Sequence, residues 1–160
     1  MKKLLEAYKE KGLTLGSVES MTGGLFSAKI TEIPGSSAVF KGTIVTYATE
    51  EKINVVGVKK ETIDKFGVVS EEVAIEMAEL GRKLLNVDVC VSVTGNAGPT
   101  TEPGGKPVGC YYIGVSSKKG TFAKGYLKPQ KRNSVRNGAI LAMRDLAYLE
   151  IIWCDRAAPC

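Results

Sequence analysis

The chain has 160 residues, one domain's worth with room for a real core, and its 44% hydrophobic and 24% charged content is that of a globular protein, not a disordered one. A formal charge of +5 suits an anionic ligand, but the lysines are spread out with no arginine-rich or aromatic-interleaved tract, so nucleic acid is not the expected partner. No apolar run approaches the roughly 18 residues of a membrane helix, and Met1 to Glu6 lacks a signal peptide's apolar stretch, so the expected location is the cytoplasm, with no membrane partner.

In chain order, residues 2–11 carry Leu4, Leu5 and Tyr8 at helical spacing and stop at Gly12. Leu13 to Val18 reads as the first strand. The polar, glycine-rich Glu19-Ser20-Met21-Thr22-Gly23-Gly24 turn follows and opens a helix from Leu25 to Ile33, ended by Pro34-Gly35. Gly42 to Tyr47 is the second strand, and Thr49 to Lys52 a helix start that Gly57 breaks. Lys60 to Phe66 is a short helix. Ser70 caps another, on which Val73, Met77, Leu80 and Leu84 form an apolar stripe. Val87 to Thr94 is near-continuously apolar, which predicts a central strand buried on both faces. After a glycine- and proline-rich loop, Gly95 to Pro107, the fourth strand is Val108 to Ser116. Lys118-Lys119-Gly120 turns into an antiparallel fifth strand, Thr121 to Leu127. A final helix, Asn133 to Trp153, places Val135, Ala139, Met143 and Leu146 on one face. The order predicts a three-layer α/β/α sandwich with a mixed, mostly parallel sheet, as one domain over residues 1–154 and a tail over 155–160.

The chain contains no histidine, which removes Ser-His-Asp and Cys-His catalysis. The four cysteines show no CxxC spacing, so neither a metal nor another cofactor is expected. Cys90 and Cys110 lie in apolar runs and read as buried thiols; for Cys154 and Cys160 a disulfide stays open. A serine nucleophile in such a chain needs a different base, and lysine loses its proton readily when buried.

Parallel strands would bring three loops to one edge of the sheet. The first, Ser20 to Gly24, combines a hydroxyl nucleophile with the N–H groups of a helix start near Thr22, Gly23 and Gly24, donors for an oxyanion or other anion. It reads equally as a turn whose Ser20 or Thr22 caps the helix. The second carries Tyr47 and Lys52. Lys52 is the best base candidate, with Tyr47 to relay the proton or orient the amine; alternatively both are ordinary surface residues. The third begins at Thr94 and Gly95 and offers backbone N–H groups and a hydroxyl, or simply a turn. Arg132 and Arg136, four apart on the last helix, form a phosphate clamp or a solvated face. Glu19 alternates to the strand face opposite Ser20.

These residues also resemble a known family. Val18-Glu19-Ser20-Met21-Thr22-Gly23-Gly24 is similar to the Glu-Ser-x-Thr-Gly-Gly motif of the CinA C-terminal (competence/damage-inducible protein) family. The likeness continues through Ile33 to Phe40, Val45 to Lys52, Gly67 to Val73, Val93 to Pro99, Lys106 to Gly109 and Arg132 to Arg136, and covers about residues 4 to 150. The resemblance implies an amidohydrolase that converts nicotinamide mononucleotide to nicotinic acid mononucleotide and ammonia, in pyridine-nucleotide salvage. It implies a serine, lysine and tyrosine set at Ser20, Lys52 and Tyr47. The glycine turn and Thr94 would line the nucleotide site, with Arg132 or Arg136 on the phosphate, and a homo-oligomer, first a dimer, is expected. Met21 stands where many members have cysteine, beside the nucleophile, and leaves the implied catalytic set intact; Asn96 where isoleucine is usual and Thr100-Thr101 in a usually more glycine-rich run bear on the substrate loop. Many members carry a further N-terminal domain; the expectation here is a stand-alone amidase. The alternative is a non-catalytic nucleotide-binding or protein-interaction module related to competence or the DNA-damage response.

Overall fold

The structure, a computed structural model, describes residues 1–101 and 104–156, with side chains up to residue 152. The elements are α1 (Lys2–Glu10), β1 (Leu15–Glu19), α2 (Leu25–Thr31), a 3-10 turn (Ser36–Ala38) and β2 (Phe40–Val45). They continue with α3 (Thr49–Glu51), a π-helical stretch (Lys52–Val56), α4 (Lys60–Phe66), α5 (Glu71–Leu84), β3 (Val89–Gly95), β4 (Cys110–Ser117), β5 (Gly120–Leu127) and α6 (Arg132–Arg156).

The sheet order is β2-β1-β3-β4-β5, so β3 is central, as its apolar run predicts. β2, β1 and β3 are parallel, and β4 runs against β3 and β5. Side chains alternate faces along each strand. Leu15, Val89, Val91, Val93, Tyr111, Ile113 and Val115 pack with α1, α2 and α6. Val18 and Cys90 pack with α5 and with Val56 and Val58. These are the two helical layers of the predicted sandwich. Cys90 and Cys110 are buried free thiols, and burial pushes the Cys90 thiol up to about 12. The disulfide considered for Cys154 and Cys160 lies outside the described side chains.

The boundaries shift from expectation where tertiary pairing overrides pattern. β2 begins at Phe40, because Leu15 of β1 pairs there, and ends at Val45, which leaves Thr46 and Tyr47 beyond the strand. In α5, Val73 and Met77 are fully buried, but Leu84 is 56% exposed. Leu85, just past the helix, packs on the sheet in its place, with its methyl groups over the α-carbons of Gly16 and Gly42. The helix lies so close to the sheet that a Cβ at Gly81 would collide with Val18. α6 buries Val135, Ala139, Met143 and Leu146 as expected, and it runs past Trp153 to Arg156. No described helix is long and apolar enough to cross a membrane.

Candidate active site

Because β1, β2 and β3 are parallel, the segments after them emerge at one edge of the sheet. β1 ends at Glu19, and the chain turns through Ser20 to Gly24 before α2. Gly23 and Gly24 adopt left-handed φ of 60° and 92°, conformations costly for other residues. The turn closes with the Gly23 N–H donating to the Ser20 carbonyl at 2.9 Å.

Neither Ser20 nor Thr22 caps α2; its N-cap is Gly24, without a side-chain cap. The capping is done from the strand. Glu19, fully buried, accepts the Phe26 N–H at 3.1 Å on Oε2 and the Ser27 N–H at 3.0 Å on Oε1. Oε2 also accepts the Thr22 hydroxyl at 2.7 Å, and Oε1 the Thr43 hydroxyl at 3.4 Å. A carboxyl group at a helix start meets the unpaired N–H groups of the first turn and the positive end of the dipole. Glu19 thus fixes the angle between β1 and α2, and with it the turn that carries Ser20. The sequence put Glu19 on the face opposite Ser20; it did not reveal what Glu19 binds there.

Ser20 is 6% exposed. Its Oγ accepts a 2.9 Å hydrogen bond from Nζ of Lys52, which also donates to the Thr46 carbonyl at 2.9 Å. Lys52 opens the π-helical stretch, a geometry that recurs at functional sites. Buried Val56 and Val58 hold that stretch against α5, and Gly57 ends it in a left-handed conformation. At 1% exposure Lys52 is among the most deeply buried large side chains. Burial lowers its pKa from 10.5 to about 8, while the Glu50 carboxylate pulls it partly back up. Among the described residues no salt-bridge partner reaches Lys52. A buried lysine that meets a hydroxyl and a carbonyl instead of an acid gives up its proton readily and is a usable base.

The other expected site residues divide. Gly95 sits against the Ser20 turn: a Cβ there would strike Tyr111 and the Met21 sulfur, so only glycine lets the β3 end approach so closely. Gly95 and Asn96 also wall a cleft of about 590 Å³, which opens between Phe66–Val69 and the loop after β3 and does not include Ser20 or Lys52 in its lining. Asn96 organises that loop: its Oδ1 accepts the Gly98 N–H at 2.9 Å and its Nδ2 donates to the Lys106 carbonyl at 3.1 Å. Two expected ligand groups are used internally. The Thr22 hydroxyl is on Glu19, and the Thr94 hydroxyl donates to the Val68 carbonyl at 2.7 Å, because the chain before α5 passes directly over the β3 end.

Tyr47 is not joined to the Ser20–Lys52 pair. It is 60% exposed, and its hydroxyl accepts a 2.7 Å hydrogen bond from Arg132. Arg132, the first residue of α6, also donates to the Gly98 carbonyl and so ties the second and third loops together. Arg136 reaches the first loop, with Nη2 on the Thr22 carbonyl at 2.8 Å.

The comparisons agree with this architecture. The CinA C-terminal domain family matches residues 1–149. The chain is 44% identical over 142 residues to a CinA-like protein of Fervidobacterium nodosum, covering 89% of this chain and 35% of that one. It is 43% identical over 136 residues to a CinA-like protein of Petrotoga mobilis, covering 85% and 34%. It thus spans about a third of the length of the curated relatives it matches. Among solved structures, the competence/damage inducible protein CihA of Agrobacterium tumefaciens superposes with a TM-score of 0.84 at 31% identity, over 94% of this chain and 91% of that one. A competence or damage-inducible protein of Enterobacter asburiae superposes at 0.90 with 25% identity, over 94% of each. With the fold, the ordered motifs and the family match in agreement over nearly its whole length, the chain belongs to the CinA C-terminal domain family.

Proposed function

We propose that this domain is a serine amidase that hydrolyses the carboxamide of nicotinamide mononucleotide. The observation that carries the reading is the 2.9 Å contact between Ser20 Oγ and a buried Lys52 whose pKa falls to about 8. At pH 7 about a tenth of such a lysine is neutral, and at pH 8 about half, which puts a base at the serine proton near physiological pH. The substrate preference itself comes from the family likeness.

In the proposed cycle, neutral Lys52 takes the Ser20 proton as Oγ attacks the amide carbon. The Gly23 N–H is committed to the Ser20 carbonyl, so the neighbouring N–H groups of the turn would meet the oxyanion. The Lys52 ammonium then protonates the departing nitrogen, the C–N bond breaks and ammonia leaves. Water attacks the ester, its proton passes through Lys52 to Ser20, and the carboxylate product departs. Arg132 takes the phosphate in this reading: it is exposed at the rim, at the start of a helix, whereas Arg136 is half-buried on the Thr22 carbonyl. Tyr47, held by Arg132, acts on the bound nucleotide from the same rim. A dimer is the oligomer we expect, measurable by light scattering.

The test is ammonia release from nicotinamide mononucleotide. The parent should turn over, Ser20→Ala should lose about 10³-fold or more and Lys52→Ala about 10²–10⁴-fold, with the fold intact. Undiminished turnover by Ser20→Ala would remove the acyl-enzyme. Nucleotide binding without ammonia release by the parent would favour a sensing module.

A further inference from the structure

Arg136 sits one turn into α6 and reaches back to the turn that carries the nucleophile. Its Nη2 donates to the Thr22 carbonyl at 2.8 Å and its Nη1 to Asn133 Oδ1 at 3.3 Å. Its Nε is buried without a partner, and no carboxylate pairs with the guanidinium, both among the described residues. Burying an unpaired N–H costs stability, so packing alone does not favour this placement. The Leu25 N–H also reaches the Thr22 carbonyl, at 3.2 Å, but it belongs to the helix that the turn itself opens. Arg136 is the group that ties the backbone of the turn to α6.

The Thr22 carbonyl and the Gly23 N–H are the two ends of one planar trans peptide. The Gly23 N–H donates to the Ser20 carbonyl at 2.9 Å, and that carbonyl shares its peptide with the Met21 N–H. A guanidinium therefore heads a line of two hydrogen-bonded peptides, Thr22–Gly23 and then Ser20–Met21. Fixing the first fixes the direction of the second, and each bond polarises the next. The Met21 N–H ends the line. It has no backbone acceptor among the described residues, and it directly follows the nucleophile, the position from which serine hydrolases draw an oxyanion donor.

We propose that Arg136 is the positioning residue of the oxyanion site, aiming the Met21 N–H through the Ser20–Gly23 turn. The inference rests on the amidase reading above. As Ser20 Oγ bonds to the amide carbon, the carbonyl π pair moves onto oxygen, and the Met21 N–H meets that charge. The pair returns as the C–N bond breaks and the leaving nitrogen takes the Lys52 proton. Arg136 touches neither substrate nor reacting atoms; its unneutralised charge strengthens the donor from behind.

The experiment compares nicotinamide mononucleotide, nicotinamide riboside and thionicotinamide mononucleotide as substrates of the parent, Arg136→Met, Arg136→Gln and Arg136→Lys. Arg136→Met should lower kcat by about 10–10²-fold, short of the outright loss of an oxyanion donor, with KM within about twofold. The fall should be the same for the riboside, which has no phosphate. Sulfur accepts a hydrogen bond weakly, so the ratio of amide to thioamide turnover should fall about tenfold in Arg136→Met. The pH midpoint near 8 should stay in place, since burial and Glu50 set the Lys52 pKa. Arg136→Lys keeps a cationic donor and should recover most of the ratio. Arg136→Gln keeps a donor without the charge, so its ratio should fall about threefold, which carries the test should Arg136→Met not fold. A KM that rises for the mononucleotide and not for the riboside would make Arg136 a phosphate ligand and overturn the role. An unchanged amide-to-thioamide ratio, with both rates lowered together, would also overturn it, because a merely loosened turn acts on both alike. A parent that releases no ammonia would overturn the amidase reading, and the inference with it.

Discussion

Lys52 and Arg132 reach the same edge of the sheet from different elements, and their surroundings differ in almost every respect. Lys52 is buried and depressed in pKa, and it is held by one carbonyl and one hydroxyl. Arg132 is exposed at the start of α6, where its guanidinium ties Tyr47 to the loop after β3. Burying a cation without an acid costs stability, and a fold accepts that cost where the neutral form is useful. Keeping a cation in water costs little and leaves it free to meet an anion. Under the proposed function, the two cations divide into a reacting interior and a recognising rim.

The largest expected effect tests the interior. Lys52→Met should lower amide turnover by about 10²–10⁴-fold, the range for loss of a positioned base. In the parent, turnover should rise with pH to a plateau, with its midpoint near 8, where Lys52 loses its proton. Glu50 raises the Lys52 pKa, so Glu50→Gln should move that midpoint to lower pH. Stability supplies an independent check. The folded pKa lies near 8 and the ordinary value is 10.5, so between them the unfolded state binds more protons. Stability from this group therefore rises with pH through that window, and below about pH 8 the penalty is felt in full. Its size is on the order of 3 kcal/mol. Urea midpoints should accordingly show the parent gaining on Lys52→Met between pH 8 and 10; a constant difference would mean that Lys52 is not desolvated.

Glu19→Gln comes next and tests the support beneath the interior. An amide cannot accept on both ends, so one of its N–H bonds would face the Phe26 or Ser27 N–H. The loss should be about 2–4 kcal/mol, read from the urea midpoint, with turnover reduced because the turn carrying Ser20 loosens. A change of under about 0.5 kcal/mol, within the range of ordinary surface substitutions, would show that the turn holds itself.

How far the sequence foretold this site follows from what each residue depends on. Ser20 was legible because strand, glycine turn and helix are local patterns. Lys52 was legible by elimination, since a chain without histidine needs another base. The sequence does not reveal that the Thr22 and Thr94 hydroxyls donate to Glu19 and to the Val68 carbonyl, because those partners arrive through packing of the helices on the sheet. The role of Glu19 was hidden for the same reason. Tyr47 was placed in a strand that ends two residues earlier, a boundary set by pairing with β1. The layers and strand order needed only hydrophobic runs and turn residues, whereas the site depends on which polar groups tertiary contacts have already consumed.

The smallest expected effect tests the rim. Arg132→Ala removes two hydrogen bonds and a charge from an exposed position, so stability should change little. KM for nicotinamide mononucleotide should rise about tenfold, the loss of one charge-assisted contact, with kcat within about threefold. Nicotinamide riboside, which lacks the phosphate, should show no such rise. Arg132→Lys should recover part of the affinity, since it restores charge without the fork. An equal rise in KM for both substrates would instead make Arg132 a support for Tyr47, and the division between interior and rim would give way to one connected site.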